Sequence, residues 1–193
     1  MTDDRTITIR RPTAAQPERE HAPAFRVDAP LEGKRVGLRT DMAWRSWQLI
    51  AGDWAKRFHH EGATTLSLET QAQIGDGGTQ DRANVAAWSD DVDFGIVGLG
   101  TCGSCTSFSV HDAVTLEAHG KPSLVVVCSE FEQHARNMAS FLGHGNLKVL
   151  VMPYPLEARP DEELHQIADE YYPQALTLLG VSALGVRESG VQA

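Results

Sequence analysis

Residues 93–105 read Asp93-Phe94-Gly95-Ile96-Val97-Gly98-Leu99-Gly100-Thr101-Cys102-Gly103-Ser104-Cys105. Residues 93–99 have the apolar weight of a short strand buried in a sheet, and residues 109–119 have that of a helix. The Cys-x-x-Cys pair therefore stands between the tip of a strand and the opening of a helix, the connection of an α/β fold. Backbone N–H groups at such an opening lack intrahelical partners, and the helix dipole favours negative charge there. A thiol so placed loses its proton more readily, and the thiolate is the nucleophile. Gly100 and Gly103 permit a tight turn and keep bulk away from the sulfurs. A structural zinc site would need two further ligands, and the only other cysteine is Cys128. Inert core cysteines are a second plain reading, which the polar, Gly-rich surroundings disfavour.

Working outward, strands and helices alternate. Residues 34–39 read as the first strand, carried by Val36 and Leu38, and Thr40-Asp41 opens a helix over 42–60. Trp47, Leu49, Ile50, Trp54 and Phe58 recur there at roughly helical spacing. Residues 63–68 give a second strand. Residues 71–80 hold Gly75, Asp76, Gly77 and Gly78; without the Lys-Ser/Thr ending of a P-loop they read as a loop or lid. A helix over 81–89 leads to the third strand. Ser123 to Cys128 is a nearly continuous apolar run, a strand buried on both faces. A helix over 130–142, a strand over 147–152 and a helix over 161–179, with Pro173 inside it, complete the pattern. The expected architecture is a three-layer α/β sandwich around a five-stranded parallel sheet, flavodoxin- or Rossmann-like, in the order 2-1-3-4-5. A single domain is expected over 31–180. Residues 1–30, with Thr6-Ile7-Thr8-Ile9 as a possible edge or exchanged strand, read as an N-terminal arm, and 181–193 as a C-terminal tail.

The 193 residues suffice for one domain with a substantial core. Seventeen basic against 26 acidic residues give a net charge of −9, which argues against a broad nucleic-acid surface. No apolar run approaches a membrane span or a signal-peptide core, and three cysteines do not make a disulfide framework. A cytoplasmic protein with reduced thiols is the expectation.

In a sheet of this order, ligands bind beyond the carboxyl ends of the strands. Four loops then deliver useful groups to one rim: Arg39, Asp41 and Arg45 after the first strand, Thr101 to Thr106 after the third, Cys128 and Glu130 after the fourth, Tyr154 after the fifth. Cys102 is the better nucleophile, and Cys105, about a turn deeper, could resolve an adduct formed on it. Arg39 and Arg45 could hold an acidic group, or each make a surface ion pair. Asp41 could be a general base or cap the first helix, and Glu130 has the same two readings at the fourth helix. Thr101, Ser104 and Thr106 offer hydroxyls near whatever binds. Cys128 is a third redox partner or buried packing. His111 could stabilise a thiolate or sit on the surface, and His59-His60 close a helix rather than bind metal.

The run Gly98 to Glu117 (GLGTCGSCTSFSVHDAVTLE), with Gly33 to Arg39 upstream, resembles the UGSC family, named for a selenocysteine-Gly-Ser-Cys motif. The resemblance extends over roughly Gly33 to Gly180 and implies that Cys102 stands where some relatives carry selenocysteine. The family is more distantly similar to the selenoprotein B subunits of glycine, sarcosine and betaine reductases. The resemblance and the rim together give the expectation of a thiol-dependent redox or reductive-cleavage enzyme. Cys102 is its nucleophile, Cys105 its resolving thiol, and Arg39, Asp41, Arg45, Thr101, Ser104, Thr106, Cys128 and Glu130 line the substrate site. The substrate would be small and acidic, with no bound cofactor or metal and with electrons from an external thiol donor or thiol reductant protein. A homo- or hetero-oligomer is expected, without nucleic-acid or membrane partners. Two other readings stand beside it: a metal site like part of the nitrile-hydratase cysteine claw, which lacks its third cysteine here, and a non-catalytic redox-sensing subunit.

Overall fold

The computed structural model describes residues 22–41, 43–70 and 74–181. Thr6 to Ile9, most of the N-terminal arm and all but the first residue of the C-terminal tail lie outside them. Five strands, β1 (Arg35–Asp41), β2 (Thr64–Thr70), β3 (Phe94–Gly100), β4 (Ser123–Cys128) and β5 (Lys148–Met152), form one sheet in the order β2-β1-β3-β4-β5. Every pairing is parallel, as apolar strands joined by crossover helices require. The expected α/β fold and strand order are those observed.

Helices α1 (Arg45–His60) and α5 (Asp161–Leu179) cover one face. Alternation along β1 sends Val36 and Leu38 to that face, where they meet Trp47, Ile50, Trp54 and Phe58 of α1 and Leu164, Ala168 and Tyr172 of α5. Helices α2 (Gly75–Asp91), α3 (Gly103–Ala118) and α4 (Glu132–Phe141) cover the other, over Val97, Val125 and Val127. Gly37 faces this second layer, where an added Cβ would lie 2.4 Å from the Trp88 ring, so α2 can sit against β1 only because glycine is there.

Three helix starts differ from the sequence reading by more than two residues. The stretch Gly75-Asp76-Gly77-Gly78 is the first turn of α2, not a loop; the expected lid is helical from Gly75 on, and residues 71–73 lie outside the described set. Three glycines lower helix propensity, but packing of Val85 and Trp88 against the sheet outweighs it. Helix α3 begins at Gly103 rather than Ser109. Helix α1 begins at Arg45, because β1 continues to Asp41.

The described part of the expected arm runs along the body. Ala22 N–H donates to the Gly143 carbonyl at 2.8 Å, Val27 to Leu179 at 2.8 Å and Asp28 to Gly180 at 3.1 Å, and Leu31 is buried. No described helix is long and apolar enough to cross a membrane.

Candidate functional site at the opening of α3

Strand β3 ends at Gly100 after its register against β4 shifts between Val97 and Gly100; the Gly98–Leu99 peptide there is cis. A Cβ on Gly100 would lie 2.7 Å from Val127 Cγ1 and 2.9 Å from Thr106 Oγ1. The chain can enter α3 this close to β4 only with glycine at that point.

Cys102 is the N-cap of α3, and its Sγ accepts the Cys105 N–H at 3.1 Å. That bond meets one of the orphan donors of the first turn with sulfur in place of the usual oxygen. Cys102 and Cys105 are joined as a disulfide, both half-buried, and Ser104 Oγ lies 3.4 Å from Cys102 Sγ. Gly103 and Ser104, between the cysteines, are exposed. The disulfide is thus open to solvent on one side and rests on the helix dipole on the other.

The expected site residues fall into three groups. Thr101, Cys102, Ser104, Cys105, Thr106 and Cys128 gather at the turn. Of these, Thr106 and Cys128 are fully buried, which corrects their expected role as groups facing a substrate. Thr106 Oγ1 donates to the Cys102 carbonyl at 2.6 Å and closes the first turn of α3. The Cys128 thiol reaches Thr101 Oγ1 at 3.5 Å, and burial pushes its pKa up, so it is packing rather than a thiolate.

A second group lies on the rim, and three of its four members are engaged with the protein's own residues. Asp41 Oδ1 accepts the Ala43 N–H at 2.9 Å; it braces the turn before α1, whose N-cap is Trp44, rather than capping the helix. Arg45 pairs with Asp161 at the start of α5, and both are exposed, which is the surface pair the sequence allowed. Glu130 stands exposed in the 3₁₀ turn (Ser129–Phe131) after β4. Tyr154 is exposed and meets Phe131 edge to face.

Arg39 forms the third group alone. The sequence places it at the rim; alternation along β1 instead sends it under α3, where it is 1% exposed. Its Nε lies 2.9 Å from Asp112 Oδ2 and its Nη1 donates to the Gly98 carbonyl at 2.9 Å. A guanidinium so enclosed is unavailable to an acidic substrate group.

Two participants escaped the sequence reading. His134 on α4 places Nε2 3.1 Å from the Gly103 carbonyl and 2.9 Å from Ser107 Oγ, against the cysteine turn. Asp112, 7% exposed on α3, holds Arg39. Each carried a faint signal: Asp112 is a carboxylate between the apolar Val110 and Ala113, and His134 falls at helical spacing between Phe131, which precedes α4, and Met138. His111, by contrast, is exposed and lines a cleft between α2 and α3, and His59 meets Thr65 Oγ1 at 3.2 Å. Among the described residues no three His, Cys, Asp or Glu side chains are grouped to hold a metal ion.

The model of the UGSC family matches residues 8–181. No curated protein matches. Among solved structures, the chain is similar to translation elongation factor SelB from Methanococcus maripaludis in complex with the GTP analogue GppNHp, at TM-score 0.45 and 10% identity. That likeness covers 81% of this chain and 36% of the elongation factor, so the chain spans about a third of that protein. An FMN-dependent NADH-azoreductase from Bacillus anthracis str. Ames Ancestor, in complex with FMN, is similar at TM-score 0.45 and 10% identity, over 77% of this chain and 100% of the azoreductase.

Proposed function

The chain belongs to the UGSC family, and from that premise we propose that it is a thiol-dependent reductase whose working couple is Cys102 and Cys105. The observation that carries the reading is the Cys105 N–H aimed at Cys102 Sγ, 3.1 Å away, at the N-terminus of a sixteen-residue helix. A backbone donor and the positive end of a dipole both favour the thiolate over the thiol. In the reduced protein the Cys102 thiolate attacks the substrate's electrophilic atom, forming a Cys102–substrate bond and expelling a leaving group with its electron pair. The Cys105 thiolate then attacks the Cys102 sulfur. The substrate fragment departs with the bonding electrons and takes up a proton, and the Cys102–Cys105 disulfide remains. The net change is a two-electron reduction of the substrate. Exchange with an external dithiol, itself oxidised to a disulfide, restores the starting couple. The resemblance of the Gly98 to Glu117 run to the UGSC motif supports Cys102 as the attacking atom, since it implies that this is the position at which some relatives carry selenocysteine.

The rim's cations do not favour an acidic substrate, because Arg45 is paired and Arg39 is buried; a small neutral disulfide such as 2-hydroxyethyl disulfide is the first substrate to test. Alkylation of the reduced protein with iodoacetamide, followed against pH by mass, should give Cys102 an apparent pKa near 7 rather than the ~8.5 of a free thiol. Turnover of the disulfide should be lost in Cys102→Ser. An ordinary thiol pKa at Cys102, or turnover that survives the substitution, overturns the reading.

A further inference from the structure

Arg39 is buried, yet its guanidinium grips both flanks of the cysteine turn. Nη1 donates to the Gly98 carbonyl of β3 at 2.9 Å and lies 3.5 Å from Ser109 Oγ of α3, while Nε lies 2.9 Å from Asp112 Oδ2, also on α3. Gly98 stands four residues before Cys102, and Ser109 stands four after Cys105. One buried cation thus spans the motif from below, through hydrogen bonds from Nη1 and an ion pair to Asp112, while Nη2 has no hydrogen-bond partner. A buried ion pair is a poor source of stability, because taking both ions out of water offsets most of their attraction, and apolar residues of the same volume do as well. What the pair supplies that Leu or Met would not is a fixed direction between two elements.

We propose that the Arg39–Asp112 pair is the positioning element of the cysteine couple. By fixing α3 against the end of β3, it holds the turn in which the Cys105 N–H meets Cys102 Sγ, and so sets the acidity of Cys102 and the potential of the couple. The inference rests on the thiol reading above. Both residues act through the backbone and the helix, not on the sulfurs.

The surroundings of Asp112 add a second consequence. Burial pushes its carboxyl up to about 6, outweighing Arg39, and Asp81 and Asp41 add in the same direction. The ionisable groups around it are Arg39 and Asp41 from β1, Asp81 and Arg82 from α2, and His111 beside it on α3. On the same side β3 and β4 present Val97, Val125 and Val127. Protonating Asp112 removes the charge that holds Arg39 to α3, so the clamp loosens as pH falls through that range, and Cys102 becomes less acidic.

The test uses reduced full-length protein as wild type, Asp112→Asn and Arg39→Lys, the last keeping the charge while losing the Nη1 donor to the Gly98 carbonyl. The alkylation rate at Cys102 is followed against pH, and the dithiol–disulfide equilibrium is measured against glutathione. In both variants the apparent pKa of Cys102 should rise by about 0.5–1 unit. A less stable thiolate means a less stable reduced form, so the equilibrium should move about three- to tenfold toward the disulfide. The wild-type profile should carry a second inflection near the Asp112 value, absent in Asp112→Asn. Folded variants with a lower Tm but wild-type acidity and equilibrium would show a purely structural pair and overturn the proposal. If neither variant folds, the wild-type profile decides: a second inflection supports the clamp, and a single thiol titration overturns it. A wild-type Cys102 that titrates as an ordinary thiol overturns the thiol reading and this one with it. An acidic Cys102 unmoved by the substitutions overturns this one alone.

Discussion

Where α1 and α5 cover the sheet, Trp47 meets Trp54 edge to face at 5.6 Å between ring centroids, and Phe58 packs on Phe94 and Tyr172. The two indole N–H groups there are satisfied by backbone carbonyls, Arg39 at 3.0 Å and Ala168 at 2.8 Å. Where α2, α3 and α4 cover the same sheet, it buries Arg39, Thr106, Ser109, Asp112 and Glu117. Burial raises the carboxyl pKa of both Asp112 and Glu117, the latter bonded to His144 at 2.6 Å at the far end of α3. The aromatic face gains stability that does not depend on protonation. The other face gives some of that up to hold charges and a closely packed turn under the cysteines. Among the described residues, the buried charged side chains Arg39, Asp112 and Glu117 all lie on that second face, the one from which the cysteine turn opens.

Substitutions on either face test that contrast. The largest effect on stability should come from Trp54→Ala, at about 3–5 kcal/mol in denaturant unfolding. Its folded fraction should keep the Cys102 alkylation pKa of wild type; a shift there would mean that the two faces are coupled through the sheet.

Next comes the pH dependence of stability. Asp112 binds its proton more tightly folded than unfolded, so its contribution is fully present below the unfolded value of 3.8 and is lost as pH rises through about 6. That rise corresponds to about 3 kcal/mol. Across this window the unfolding free energy of wild type should fall with rising pH relative to that of Asp112→Asn, since Asp53, held below its ordinary value, acts in the opposite direction in both proteins. Equal slopes would remove Asp112 from the account and leave Glu117 as the titrating group on that face.

Gly100→Ala should cost about 1–3 kcal/mol, since the new methyl meets Val127 and Thr106 inside contact distance. It should also slow alkylation or shift its pKa, because Thr106 is bonded to the Cys102 carbonyl. A loss of stability with unchanged thiol chemistry would separate the packing of the turn from its reactivity. The smallest effect is expected of His134→Ala, about 1 kcal/mol from the bonds to Ser107 and Gly103, read by the same melts.

Much of the fold was legible because its signals are local. Apolar runs such as Leu124 to Cys128 can be satisfied only by a strand covered on both faces, and their alternation with helices leaves few topologies. The boundaries that went astray, at Gly75 and Gly103, are where glycine and small polar residues weaken local helix preference and packing decides instead. The cysteine turn itself was legible, as residue type and spacing place a thiol at a helix opening wherever the helix then goes. The fate of the neighbouring charges was not. Arg39 read as a rim cation because it ends an apolar strand, and nothing local says which layer covers the face it points to.

The layered parallel sheet and the position of the Cys102–Cys105 pair are therefore written in the chain itself, because hydrophobic period, helix capping and motif spacing act within a few residues. That Arg39 belongs to the protein rather than to a substrate is a property of the folded molecule alone. Its partners Gly98 and Ser109 lie 59 and 70 residues away in the chain, and a charge is committed or free according to what the fold brings within about 3 or 4 Å of it.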